Sequence, residues 1–575
     1  MKTLNKIFLS LGIATAALGF SSCVDDLDQT PTNPSAIGDV SDRIDGVFAD
    51  LFFNFSTYGA NGDSPVHDFD GGMASFQRAI FIAEEMPTDE ACWLWDPGDY
   101  GNLNWGLVTP DLNCLFGFYS RLQINITLCN DFIRQVNSGA FNAPEEKKTN
   151  YVNQAKTLRA LCYFYMISFY PNVPYSDEAT MIGSLPEQRP RAEVFNIVTS
   201  ELEQVVASYA KGSKPVYGYL GRDAAQALLA KFYLNAEAFT GTAQWGKAYT
   251  NAKEVIENLA VGGFKNSNGE DTGLVPSYQA VFGANNNKYA LGNAGSGINE
   301  IIWTLPQDAV NLLSYSGATF MINAFAGTNG VSVTEAGKTP DYTSLNGVDW
   351  TFDPKANGCV STSWYNSGDG WKCMVARKSF VRKFEWDDAT MATSDDKRVA
   401  LWCTSAQQFT AENPTLVGDD WGKNGYLPIK FSNWNFEDDG TLSATQPDGT
   451  VKQYGGDYPV IRLSEMYLTA AEAIMNGAPG SQAEALKYVN NVRERAGVAK
   501  WTSMSLQDVR DERCRELYTE NTRRTDLIRY NQWCTGYSWE WKGGSASGAN
   551  LPAYARNYPL PSRVMGSGFT QTPGY

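Results

Sequence analysis

Imidazole chemistry has one possible location in this chain, because His67 is its only histidine. A Ser-His-Asp triad would have to run through that residue, and a zinc site built from several imidazoles is excluded. His67 lies in Asp63-Ser64-Pro65-Val66-His67-Asp68-Phe69-Asp70, which offers oxygen ligands. The stretch lacks the alternating Asp spacing and distal Glu of a calcium loop, so neither a metal nor another cofactor is expected. Hydrolysis survives only as a carboxylate or cysteine design. Carboxylate pairs about 5 to 9 Å apart are uninformative here, since 63 Asp and Glu residues guarantee such pairs in any fold. Beyond Cys23, the cysteines Cys92, Cys114, Cys129, Cys162, Cys359, Cys373, Cys403, Cys514 and Cys534 show no C-x-x-C spacing. Several sit in apolar helical text, such as Leu161-Cys162-Tyr163-Phe164, where cysteine behaves as a small hydrophobe. Mostly buried free thiols are expected, and no catalytic cysteine.

Aromatic rings offer more. Trp93, Trp95, Trp105, Trp350, Trp364 and Trp371 have Gly, Asp, Asn and Ser as neighbours instead of apolar residues. A pyranose presents an apolar face of C–H bonds that stacks on a flat ring, while its hydroxyls need amide and carboxylate partners at the edge. Ser363-Trp364-Tyr365-Asn366 supplies both ingredients. These six tryptophans, with Tyr315 as a further platform, are the candidate ligand-binding residues. Trp245 and Trp501, at helix starts, and Trp303, in an apolar strand-like piece, are expected in the core.

Composition agrees with a neutral polar ligand. Charged residues make up 19% of the 575-residue chain, below the roughly 25% of an average domain, while aromatics reach 13%. Lys and Arg total 46 against 63 acids, a net charge of −17, which argues against nucleic acid because phosphate recognition draws on clustered cations.

Helices must position these rings. From Ala155 the residues Leu158, Cys162, Tyr165, Met166 and Phe169 recur at steps of three and four, and Tyr170-Pro171-Asn172-Val173-Pro174 ends the run. A second helix is predicted from about Arg191, and helix–turn–helix units over Asp223–Phe239 with Trp245–Leu259, and over Val460–Asn476 with Ser481–Ala496. Tyr233-Leu234-Asn235-Ala236-Glu237-Ala238 nearly repeats in Tyr467-Leu468-Thr469-Ala470-Ala471-Glu472-Ala473, and the alanines let paired helices approach closely. The fold class is therefore mainly α: tetratricopeptide-like antiparallel helix pairs forming a scaffold. Long irregular, loop-rich insertions containing short strands interrupt it at about 56–113 and 262–456. Both insertions carry candidate rings, so Trp93 or Trp95 facing Trp350 or Trp364 is expected to form the walls of one shallow site.

Between Asp508 and Tyr530 lie Arg510, Arg513, Arg515, Arg523, Arg524 and Arg529 with Asp508, Asp511, Glu512, Glu516, Glu520 and Asp526. The balance of signs predicts a structural ion network rather than a surface for an anionic ligand. At the other end, Lys2 and Lys6 precede the apolar run Ile7–Phe20, then Ser21-Ser22-Cys23, which reads as a secretory signal over 1–22. That run falls short of the roughly 20 residues of a membrane span. Cys23 resembles a bacterial lipoprotein acceptor for palmitate-type acylation, although Phe20 stands where Leu is usual. Residues 23–40, polar and broken by Pro31 and Pro34, are then a lipidated tether, and 41–575 one helical domain.

In order along the chain stand Leu158-Arg159-Ala160, Val173-Pro174-Tyr175, Tyr458-Pro459-Val460-Ile461-Arg462-Leu463-Ser464-Glu465, Val489-Asn490-Asn491-Val492-Arg493-Glu494-Arg495-Ala496-Gly497, Arg523-Arg524-Thr525-Asp526-Leu527 and Tyr558-Pro559-Leu560-Pro561. On these pieces the chain resembles the SusD/RagB family of surface glycan-binding lipoproteins, and Val24-Asp25-Asp26 behind Cys23 resembles the export signal of Bacteroidota surface lipoproteins. The resemblance implies a non-catalytic binder, lipid-anchored in the outer membrane and facing the exterior. It would pass oligosaccharide or polysaccharide to a SusC-like TonB-dependent transporter. The family offers no catalytic residues to carry over, and its ligand contacts lie in variable loops. A peptide or glycopeptide binder of the same architecture, or a carboxylate-dependent glycosidase, are the alternatives.

Overall fold

The computed structural model describes residues 42–56, 75–94, 98–310, 317–325, 371, 373–384, 396–398, 401–402, 427–428, 430–447 and 453–575. Cys23, the leader and tether, His67 with its acidic neighbours, Trp95, Tyr315, Trp350, Trp364, Cys359 and Cys403 lie outside them.

Helices follow in the order α1 (Ile44–Ser56), α2 (Phe76–Glu84), α3 (Gly98–Asn104), α4 (Asn113–Asn137), α5 (Glu145–Phe169), α6 (Arg191–Ser208), α7 (Arg222–Leu234), α8 (Ala236–Thr240), α9 (Trp245–Leu259), α10 (Gly317–Phe325), α11 (Lys378–Val381), α12 (Leu463–Met475), α13 (Gln482–Arg495), α14 (Leu506–Leu517) and α15 (Arg523–Arg529). The layering runs α4 on α5, α5 on α6, α6 on α7 and α7 on α9. It then resumes with α9 on α12 and α12 on α13, so the helix pairs flanking the long insertion pack as neighbours. The α9 sequence explains why. Ala248, Tyr249, Ala252, Val255, Ile256 and Leu259 are all buried on one face, while the small Ala470, Ala471 and Ala473 of α12 let its axis come close. The α8–α9 and α12–α13 turns fall where the sequence placed them, and the C-cap of α8 is left-handed Gly241 (φ 80°).

Among the described residues, four short ladders tie the irregular segments down. Strand β1 (Cys92–Trp93) pairs with β5 (Met374–Val375), β2 (Asn172–Tyr175) with β3 (Glu187–Pro190), β4 (Ile301–Leu305) with β8 (Tyr458–Arg462), and β6 (Leu401–Trp402) with β7 (Leu427–Pro428), all antiparallel. The β4–β8 pair closes the base of the long insertion just before α12. Where that insertion leaves α9, Gly273 (φ 67°) has no room for a side chain, since a Cβ would lie 2.2 Å from the Leu259 carbonyl oxygen.

Several expectations need correcting. The first insertion is not wholly irregular, because α2 lies within it and every residue of α2 is buried. Phe76, Ala79, Ile80 and Ala83 recur at helical steps, but Gln77, Arg78 and Glu84, which read as a solvent face, are buried as well. Helix α4 went unmarked, α5 starts ten residues before Ala155, and Tyr458–Arg462 is strand before α12 begins. Trp303 is core as expected, but Trp245 and Trp501 are half-buried. Cys92, Cys114, Cys129, Cys162, Cys373 and Cys514 are buried free thiols, with Cys534 partly exposed.

Candidate functional site

Glu512, Arg513, Glu516, Glu520, Arg523, Arg524, Asp526 and Arg529 of the charged run are buried in the scaffold, while Asp508, Arg510, Asp511 and Arg515 reach its surface. Glu516 of α14 accepts from Arg462 Nη1 at 3.0 Å, from Arg495 Nη2, and from Arg398 Nη1 at 3.3 Å. Arg462 also reaches Glu300 at 2.8 Å and Glu520 at 2.6 Å, and Arg513 bridges Glu465 and Asp526. Burial alone would raise the Glu516 carboxyl, but Arg495, Arg462 and Arg398 overcome it and hold the group down at about 2. These groups are sealed from solvent and satisfy one another, so they position elements and leave no charge for a ligand. Arg524 is an exception to the expected pairing. Its guanidinium lies 4.0 Å over the Tyr558 ring and donates to the Arg556 carbonyl, and no carboxylate among the described residues is within ion-pair distance.

Among the described residues, Glu85 and Glu90 form a buried pair of facing carboxylates, both raised by burial. They are 0% and 2% exposed beneath the turn Tyr518–Thr522, where Thr519 and Asn521 hold left-handed backbone. Glu90 accepts from the Thr519 N–H at 2.9 Å and Glu85 from the Thr522 N–H at 2.8 Å. Burial, then the facing Glu90, pushes the Glu85 carboxyl well above the ordinary value of 4.5. The pair braces a strained turn and is closed to any substrate. Its stability linkage has a definite sign, because the folded chain keeps a proton that the unfolded chain loses above about pH 4.5. Stability should therefore fall as pH rises from about 4.5 through the raised pKa, with a slope of up to about 1.4 kcal/mol per pH unit. Asp457, raised to about 6 by burial, acts in the same direction at the lower end. Glu85→Gln, which keeps the acceptor for Thr522, should flatten this dependence in denaturant melts between pH 5 and pH 8; an unchanged slope would refute the linkage.

Of the candidate rings that are described, Trp93 and Trp371 lie where the two insertions meet, each against Phe320. The β1–β5 ladder sets Trp93 opposite Met374, and Leu94 N–H donates to the Cys373 carbonyl at 2.7 Å. Asn104 of α3 clasps the Trp93 backbone through its carboxamide, accepting from the N–H at 3.0 Å and donating to the carbonyl at 2.8 Å. Helix α10 supplies Phe320, whose ring lies 6.2 Å from Trp93 at 13° and 6.2 Å from Trp371. Tyr100 packs 5.1 Å from Trp93. Asn323 accepts from the Trp371 N–H at 2.6 Å, fixing that residue's backbone to α10. Buried Arg377 ties the junction together, donating to the Ala91 and Asn104 carbonyls and to the Glu540 carbonyl of the C-terminal segment.

Trp93, expected in the wall of rings, is 8% exposed with Phe320 and Tyr100 against it, so its ring is spent largely on packing. Trp371 and Trp105 are half-buried and keep surface for contact. In sequence, Trp95 follows Trp93 by two residues, Tyr315 precedes α10 by two, and Trp364 precedes Trp371 by seven. Sequence reasoning missed Tyr100, Asn104 and Phe320. Asn104, beside Trp105 in Asn102-Leu103-Asn104-Trp105, carried a weak signal, whereas apolar Phe320 carried none. The arrangement can stack and hydrogen-bond a neutral polar chain; it has no exposed acid–base pair among the described residues named here.

Residues 260–565 match the SusD family. The chain is 26% identical to the starch-binding protein SusD of Bacteroides thetaiotaomicron, over 100% of this chain and 99% of that one. It is similar in fold to surface glycan-binding protein A of Bacteroides uniformis, with a TM-score of 0.62 at 19% identity, covering 92% of this chain and 99% of that one. The same coverage, with a TM-score of 0.57 at 16% identity, relates it to surface glycan-binding protein A of Bacteroides thetaiotaomicron in complex with laminarihexaose.

Proposed function

Because this chain belongs to the SusD family, we propose that it is a non-catalytic, lipid-anchored glycan binder of the outer-membrane exterior that hands oligosaccharide to a TonB-dependent transporter. The observation carrying this reading is the β1–β5 junction, which joins the two ring-bearing insertions on a braced scaffold. The relatives named above are binding proteins for starch or surface glycan, and one is recorded with a glucan oligosaccharide. Trp95, Trp105, Tyr315, Trp350, Trp364 and Trp371 are the proposed contacts. Rigid rings supply contact area at small entropic cost, and amides at their edges select hydroxyls.

The test uses soluble protein lacking residues 1–23 on a glycan array, followed by native gels containing the retained polysaccharide. Retardation without product release after overnight incubation is expected. Released oligosaccharides would make it an enzyme, and failure to bind any glycan would end the proposal.

Anchoring is proposed to rest on Cys23. Each acyl CH₂ buried in a membrane contributes about 0.8 kcal/mol, so several chains outweigh anything the polar tether supplies. Cys23→Ala should abolish labelling by radioactive palmitate and move the protein to the soluble fraction in cells lacking the transporter. Membrane retention of that variant would refute the anchor.

A further inference from the structure

We propose that a second surface, the groove between the N-terminal half of α5 and the 209–221 connection from α6 to α7, binds a neutral saccharide chain. Its ligand class rests on the glycan-binding reading above; its location does not. The groove encloses about 840 Å³, within the range of about 300–1,000 Å³ typical of small-ligand sites, and shares no residue with the β1–β5 junction.

Its walls carry rings and uncharged polar groups, with Glu146, Lys147 and Lys214 as the charged residues. Tyr209 and Tyr219 are half-exposed along it, with Asn150, Asn153, Gln154 and Ser208 beside them. The side chains are held in place. Tyr209 Oη donates to Asn150 Oδ1 at 2.9 Å, Asn153 Nδ2 donates to Ser208 Oγ at 2.9 Å, and Gln154 Oε1 accepts from the Leu220 N–H at 2.8 Å. Beneath them Tyr151 stacks on Phe48 at 3.8 Å, and Tyr219 packs 5.5 Å from the same ring. Rings fixed in this way lose little entropy on meeting a sugar face. Of the charged side chains on this rim, Lys147 is paired with Asp45 at 2.7 Å and Glu146 balances the charge of Lys214, so the groove concentrates no positive charge for an anion.

The α8–α9 and α12–α13 turns, Gly241-Thr242-Ala243-Gln244 and Gly477-Ala478-Pro479-Gly480, contain no ring, whereas the α6–α7 connection places Tyr209 and Tyr219 along an open groove. The 750 Å³ cleft around Trp501 is a weaker candidate: Arg493 and Arg515 on its wall both bind Glu512, and Lys383 binds Asp511. Two modest sites on one scaffold would retain a polysaccharide by raising the effective concentration of the second contact.

The test is hydrogen exchange of the full mature protein with saturating maltoheptaose, laminarihexaose, xylohexaose or mannohexaose in turn. At least one is expected to protect amides in 209–221, and Tyr209→Ala should weaken that protection about 10-fold or more in ligand titration. Asn153→Ala, which leaves the rings in place, should weaken it too and serves if Tyr209→Ala fails to fold. Protection confined to the segments around 92–105, 317–325 and 371–375 overturns the groove while leaving the glycan-binding function standing. Absence of protection anywhere with all four sugars overturns the groove, and the array result then decides the function separately. Protection of 209–221 that is present without sugar and lost when residues 24–41 become a Gly-Ser linker also overturns it, by assigning the groove to the tether.

Discussion

Arg462→Met is expected to destabilise the protein by about 3–5 kcal/mol, the loss typical when one partner of a buried ion network is removed. Arg462 is fully buried and serves Glu300, Glu516, Glu520 and the Ser464 hydroxyl together. Methionine approximates the volume of its stem but leaves those carboxylates facing one another in a medium that screens poorly. The consequence is also topological, since Arg462 ends β8 beside β4, Glu300 precedes β4, and Glu516 and Glu520 belong to the C-terminal charged run. One side chain thus couples the base of the long insertion to the closing helices. The loss is a large share of the about 5–15 kcal/mol that holds a typical domain folded. Denaturant melts should show it directly. Lys147→Met, which breaks the exposed pair with Asp45, is the control and should cost about 1 kcal/mol or less. Equal shifts for the two variants would show that the buried network contributes nothing beyond a surface pair.

How much of this the sequence carried depends on where each element is covered. Helices α9 and α12 announced themselves because their apolar residues recur at steps of three and four and a short Gly-containing turn adjoins each. Helix α5 was legible only from Ala155, because its first turns, Glu145-Glu146-Lys147-Lys148, face solvent and carry no apolar stripe. Helix α2 is only nine residues long, and its Gln77, Arg78 and Glu84 are buried where the sequence reads a solvent face. The charge run was read as a network from its balance of signs, which is a statistical argument about the whole. It could not say which arginines meet a ring instead of an acid, and Arg524 on Tyr558 and Arg510 on Tyr530 show the difference. The junction was least legible. A two-residue ladder between Cys92–Trp93 and Met374–Val375 leaves no periodic trace across that separation, yet it decides that Trp93 faces inward.

That inward orientation sets the second large effect. Alanine substitution of Trp371, Trp95, Tyr315, Trp350 and Trp364, one at a time, is expected to reduce glycan affinity by about 30-fold at the central positions and little at the rim. Trp93→Ala should behave differently, because its ring fills a space against Phe320 and Tyr100. Truncating a buried tryptophan costs about 3–5 kcal/mol of stability, so this variant should melt early and lose binding only as the junction loosens. Calorimetric titration at two salt concentrations separates the contributions. Stacking on uncharged rings and hydrogen bonds to neutral hydroxyls involve no ion pair, so affinity should be the same at low and high salt. A marked fall in affinity with salt would identify a charged ligand and remove the rings from the centre of recognition. If all five ring variants fold and bind as the parent does, the junction holds the scaffold together without touching glycan; if Trp93→Ala keeps full stability, the ring is not the prop its contacts make it.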